Sequence, residues 1–142
     1  MKKDVLLSIA GLQYEFDKED AVEVISIGEY YNKDGKHYVK YEEIMEEVEG
    51  VTNCTLKATD HQIDILKRGA NNVHMVFEVN KKNMTYYQTP FGDLQIGIFT
   101  KIIGIVEEED KILIEINYEL DINYSFVSDC KIQIKITPRK IA

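Results

Sequence analysis

Glu43 is the residue whose surroundings most invite chemistry. If 37–46 is one extended strand, Glu43 shares a face with Val39, Tyr41 and Met45, so a carboxylate points the same way as apolar side chains. Buried among them it is costly unless paired and hydrogen-bonded. Arg68 or Lys67 can be the partner: Lys67 follows the phase of Ile63 and Ile65, whereas Arg68 follows Leu66. An inward Glu–Arg pair with Tyr41, Tyr87, Thr89 and Thr100 would form a polar anchor inside an apolar cup, the usual composition of a small-molecule pocket. The bland alternative is an ion pair that holds strand register, or a glutamate at a wet rim.

Other reactive residues do not assemble. His37, His61 and His74 lie far apart and none has a second ligand at a standard metal spacing; Cys54 and His61, seven positions apart, do not make a zinc half-site. Gly92, Gly97 and Gly104 sit on a strand-like background with no helix to complete a phosphate loop. Glu42 and Glu43, or Glu46 and Glu47, could serve as acid and base, but neighbours on a strand face opposite ways. No nucleophile elbow or ordered Ser/His/Asp set is present. The reading is therefore noncatalytic, without metal or cofactor.

Thr89-Pro90-Phe91-Gly92-Asp93 is the clearest local motif. Proline pushes the residue before it to extended backbone, which suits a strand end at Thr89. Gly92 supplies positive φ for the turn. Phe91 either plugs the barrel end, the preferred reading, or lids its mouth.

The elements that must position these residues are strands. The even positions from Ile112 to Tyr124 are all apolar or aromatic, against mostly polar odd positions. Cys130, Ile132, Ile134 and Ile136 repeat the pattern against Lys131, Gln133, Lys135 and Thr137. Looser alternation with recurring β-branched and aromatic residues extends the reading to strands near 4–14, 21–31, 37–46, 51–59, 62–68, 73–80, 84–89, 94–106, 111–124 and 130–137. Asp34-Gly35 is a hairpin turn signal. Tyr41 to Val48 could wind about two helical turns, but strand extension is preferred. Phe99, Ile103 and Ile105 fall on the face opposite Ile96, Ile98 and Ile102, so this segment reads as apolar on both sides. Short breaks pair successive strands as antiparallel neighbours, and about eight to ten of them predict one all-β domain over 1–142, a meander barrel, with a two-sheet sandwich as the alternative. Nine tyrosines and no tryptophan fit strand propensity and core filling.

The chain has 142 residues, and 17 basic against 25 acidic ones leave a formal net charge of −8. Such a balance repels phosphate backbones and anionic membranes, and the basic residues are scattered, with pairs such as Lys67-Arg68 and Lys81-Lys82 but no extended stripe. Nucleic acid and membrane are excluded as partners. The N-terminal apolar run is broken at Ser8, short of the roughly 7–15 apolar residues of a secretory signal, so a cytoplasmic location is expected. Cys54 and Cys130 read there as small hydrophobes rather than a disulfide.

Tyr87-Gln88-Thr89-Pro90-Phe91-Gly92 resembles the Tyr-x-Thr-Pro-aromatic-Gly signature of the YwiB-like family of small bacterial proteins. Tyr38-Val39-Lys40-Tyr41-Glu42-Glu43 resembles its Tyr-aliphatic-x-Tyr-x-Glu segment, with Arg68-Gly69, Phe77-Glu78 and Thr100 in the family's order. The resemblance spans nearly the whole chain. It implies a calycin-type, lipocalin-like β-barrel and no established activity. The function expected is binding of a small, partly apolar ligand inside the barrel, lined or anchored by Tyr41, Glu43, Arg68, Tyr87, Thr89, Thr100 and Tyr118. The alternative is an interaction module with a filled barrel, whose apolar strand near 99–105 meets a protein partner or a second copy.

Overall fold

Alternating apolar and polar residues give each strand one face for a core and one for water. A computed structural model describes residues 3–11, 23–44, 51–69, 72–89 and 92–139, with the backbone alone for Ile44, Tyr87, Gln88, Thr89 and Asp93. The parts of the sequence reading that fall on 12–14, the end of the first expected strand, on 45–48, the rest of the helix-like patch, and on Pro90 and Phe91 lie outside these residues. The elements are β1 (Lys3–Ala10), β2 (Glu23–Lys33), β3 (Lys36–Ile44), β4 (Val51–Ala58), β5 (Gln62–Gly69), β6 (Val73–Glu78), β7 (Lys82–Thr89), β8 (Gly92–Glu107), β9 (Ile112–Ile122) and β10 (Ser125–Pro138).

All ten form one antiparallel sheet in the order β6-β5-β4-β3-β2-β1-β10-β9-β8-β7. This is a meander whose first and last strands pair. Its two edges, β6 and β7, meet without a backbone ladder, so the barrel is closed except for one seam. Side-chain and turn bonds stitch that seam. The Thr85 hydroxyl on β7 donates to the His74 carbonyl on β6 (2.9 Å), and the Asn80 N–H donates to the Thr100 carbonyl on β8 (2.8 Å).

Inward-facing residues fill the barrel's middle. Leu7, Val39, Leu56, Ile63, Ile65, Phe77, Ile98, Ile114, Ile116, Ile132 and Ile134 are fully buried. Each such side chain contributes about 1.5–3 kcal/mol of transfer free energy relative to leaving it in water. The same pattern orients the polar residues studied below. On β5, Ile63, Ile65 and Lys67 point in, whereas Arg68 points out.

Two expectations are corrected here. The run from Ile112 to Tyr124 is not all strand: β9 ends at Ile122, and Asn123-Tyr124 turn the chain with φ of 49° and 69°, so β10 begins at Ser125 rather than 130. Tyrosine is a poor residue for positive φ, and Tyr124 happens to fall in phase with the alternation, so the pattern masks the turn. Tertiary bonds hold it: the Asn123 N–H donates to the Gln95 carbonyl (2.8 Å), and the Gln95 N–H donates to Asn123 Oδ1 (3.1 Å).

The second correction concerns β8. Its pairing with β9 passes from Thr100↔Tyr118 to Ile102↔Asn117, so Lys101 is an extra residue in a β-bulge. The bulge moves Ile103 and Ile105 onto the inward phase of Ile96 and Ile98, where both pack on the core. Ile102 is turned outward instead, 58% exposed. By contrast, Asp34-Gly35 makes the expected hairpin, both residues at positive φ.

The strand directions give the barrel two ends. One carries the turns at 34–35, 59–61, 79–81 and 108–111 and is called the hairpin end below. The other, here called the mouth, is where β1, β3, β5, β7 and β9 end and β2, β4, β6, β8 and β10 begin.

Candidate ligand site

At the mouth, adjacent strands bring Tyr41 (β3), Cys54 (β4) and Lys67 (β5) into one row by direct cross-strand pairing. Glu43 lies two residues beyond Tyr41 on the same face, opposite Thr52. Lys67 reaches across β4, and its Nζ sits 2.7 Å and 3.0 Å from the two Glu43 oxygens. The lysine side chain is only 3% exposed and the glutamate 16%, so this pair lies beneath the rim. The partner of Glu43 is thus Lys67. Arg68, expected as a pocket anchor, is on the outer face and exposed, because one step along a strand reverses the side chain.

The cluster is strongly desolvated. Burial lowers the affinity of Lys67 for its proton, while the hydrogen bond and charge of Glu43 act in the opposite direction. Burial, then the charge of Glu43, pushes the Cys54 thiol up to about 11. Burial also raises the Tyr41 phenol above its ordinary range, with Cys54 and Glu43 adding to the effect. The Tyr41 hydroxyl, on a side chain 5% exposed, has no hydrogen-bond partner among the described residues. Its neighbour, the Cys54 thiol, donates weakly to the Thr52 carbonyl (3.7 Å) and is a poor acceptor. Gly28, paired with Tyr41 on β2, lets neighbouring atoms pack closely against the backbone at this wall. A Cβ there would meet Val39 Cγ1 and the Lys40 carbonyl at 2.9 Å.

Thr100 and Tyr118 are cross-strand partners on β8 and β9, both buried. The Phe77 ring meets Tyr118 edge-on at 5.2 Å, and burial raises the Tyr118 phenol above its ordinary range. Thr100 Oγ1 has no partner among the described residues, although its backbone helps hold the seam. Tyr87 and Thr89 follow the inward Thr85 by two and four positions on β7, and their backbones pair with Leu94 and Gly92. The fold therefore joins Tyr41 and Glu43 in one cluster and Thr100 and Tyr118 in another.

Sequence reasoning missed a second polar network, at the hairpin end. The Tyr30 hydroxyl lies 2.8 Å from His37 Nδ1, and His37 Nε2 lies 2.6 Å from Glu107 Oε1. With Nε2 protonated, the phenol donates to Nδ1 and the imidazole donates to the carboxylate, which satisfies the buried His37. These residues come from β2, β3 and β8, and no local spacing connects them. An open cavity of about 550 Å³ adjoins them, lined also by Asp60 and His61. Among the described residues, no group of three or more His, Cys, Asp or Glu side chains is placed to hold a metal ion.

The outer face carries an apolar trough of about 730 Å³. Ile102, Val106 and Leu113 flank short Ser8, Ala10 and Gly104 across β1, β10, β9 and β8. Among the described residues no helix is long and apolar enough to cross a membrane.

Comparison with known proteins follows the same outline. A family model described as a domain of unknown function, DUF1934, matches residues 8–134. The uncharacterized beta-barrel protein YwiB of Bacillus subtilis (strain 168) is 24% identical over 118 residues, covering 83% of this chain and 82% of that protein. The crystal structure of the ywiB protein from Bacillus subtilis superposes with a TM-score of 0.76 at 21% identity, covering 98% of this chain and 94% of that one.

Proposed function

The chain belongs to the DUF1934 family of bacterial β-barrel proteins, whose function is unknown, and from that premise we propose that it binds a small, partly apolar molecule at the mouth of the barrel. The observation that carries this reading is the Glu43–Lys67 pair beside the unpartnered Tyr41 hydroxyl, polar groups gathered in an otherwise apolar wall. Buried polar groups are ordinarily satisfied, and an orphaned donor is what a guest would complete. Because the middle of the barrel is filled by fully buried side chains, the guest sits above Thr100 and Tyr118 rather than running through the interior. Tyr41, Glu43 and Lys67 anchor it, with Tyr87 and Thr89 contributing from β7. Arg68, outward and exposed, drops out of the set. In this reading the barrel is of the calycin kind and works in the reducing cytoplasm, consistent with Cys54 and Cys130 as free thiols.

Native mass spectrometry of protein purified from its own cells, beside the same sample denatured, tests this reading. A noncovalent adduct lost on denaturation is the expected result. A bare mass, together with no ligand-induced shift in unfolding temperature across a panel of small amphiphiles, would overturn it.

The outer trough favours a second reading, in which a second copy of the chain covers Ile102, Val106 and Leu113. A mass in light scattering that rises with concentration, and falls back in Ile102→Glu, would support it over a monomeric binder.

A further inference from the structure

We propose that Lys67 captures small apolar aldehydes or ketones as an imine, with Glu43 as the proton carrier. This rests on the binding reading above and specifies the chemistry of the guest.

The charge arrangement narrows the class of guest. Lys67 and Glu43 already neutralise each other in a desolvated wall, at 2.7 Å and 3.0 Å. A guest bearing a carboxylate or an ammonium would bring a further charge into this desolvated wall, at a high desolvation cost. A carbonyl adds none, and its oxygen accepts the hydrogen bond that the buried Tyr41 hydroxyl has not made.

The same geometry supplies the proton transfers. Glu43 takes a proton from the Lys67 ammonium, leaving a neutral amine. Burial of Lys67 favours this step. The amine nitrogen forms a bond to the carbonyl carbon, and the C=O π pair moves to oxygen, which picks up the proton held by Glu43. The nitrogen, now positively charged, returns one proton to Glu43. Glu43 delivers that proton to the carbinol hydroxyl, which leaves as water while the nitrogen lone pair forms the C=N bond. Overall, an ammonium and a carbonyl become an iminium and water. The positive charge stays on the same nitrogen, so the ion pair with Glu43 persists and no buried charge is stranded. No oxidant or metal is required.

The test treats the full chain with octanal and sodium cyanoborohydride at neutral pH and maps the alkylated lysines by peptide mass. Lys67 should be alkylated about tenfold faster than the average of the other lysines, as for a desolvated amine beside a base. Glu43→Gln should remove that advantage. Tyr41→Phe, which keeps the ion pair and deletes only an unpartnered hydroxyl, should reduce it several-fold even if Glu43→Gln fails to fold. Alkylation of Lys67 no faster than the surface average would overturn the proposal. Octanol, which cannot form an imine, separates the two readings. If octanol raises the unfolding temperature while Lys67 stays unlabelled, imine formation fails and binding stands; if neither compound has any effect, both fail.

Discussion

At the scale of single residues, the Glu43–Lys67 pair combines an energetic burden with chemical potential. Glu43→Ala removes the carboxylate bonded to a 3%-exposed ammonium, and a loss of about 3–5 kcal/mol in urea denaturation is expected. Replacing both partners, Glu43→Leu with Lys67→Met, should recover most of that loss, because an apolar pair carries no desolvation penalty. Thr100 offers the opposite case. Its buried hydroxyl has no partner among the described residues, so Thr100→Val should leave stability unchanged or raise it by about 1 kcal/mol. The sequence made Glu43 stand out because a carboxylate on an apolar strand face is a visible anomaly. Its choice between Lys67 and Arg68 was legible only as strand phase. His37 gave no such signal, since Tyr30 and Glu107, which satisfy it, come from β2 and β8.

At the scale of elements, the strands were readable wherever alternation ran uninterrupted, as along Ile114 to Leu120 and Ile132 to Ile136. The reading failed where a residue was added or a turn stayed in phase. The Lys101 bulge reversed the assignment of Ile102, Ile103 and Ile105, since one extra residue exchanges the two faces beyond it. Tyr124 holds a φ of 69° that glycine adopts without strain. Tyr124→Gly should therefore stabilise the β9–β10 hairpin by about 1 kcal/mol, a rise of roughly 2–4 °C in Tm for a chain of this size. The seam is the counterpart at the two sheet edges. Thr85→Val keeps the side-chain shape but leaves the His74 carbonyl without the bond it accepts from β7. A loss of about 1–2 kcal/mol is expected, with faster amide hydrogen exchange confined to β6 and β7.

At the scale of the whole molecule, several buried protonated groups face the same interior, and their linkage sets the response to base. The unfolded chain releases the Cys54 proton near 9.0, whereas burial holds it in the folded protein up to about 11. Tyr41 and Tyr118 are likewise raised from 10.0 by burial. Over these windows the native state binds more protons than the unfolded one, so their contribution is complete below pH 9 and falls as pH rises. Lys67 acts in the other direction, since burial lowers its pKa from 10.5 and the desolvation cost is relieved as its proton leaves. With three groups against one, stability should fall from pH 9 upward. Thermal unfolding between pH 8 and 11 checks this, and Cys54→Ala should flatten the part of the curve between 9 and 11.

The division of information follows from the range of the forces involved. Alternation, turn residues and charge act between neighbours in the chain, and the sequence alone determined the all-β class, the antiparallel meander and most of the inward-facing set. The arrangement of strands around the barrel brings residues such as Tyr30, His37 and Glu107 together, although a long stretch of chain separates the first two from the third. Only the tertiary structure decided that Lys67 rather than Arg68 meets Glu43, that β6 and β7 meet at a seam without a ladder, and which hydroxyls are left without partners. Those outcomes depend on bulges, on closure and on desolvation, which exist only once distant strands have packed.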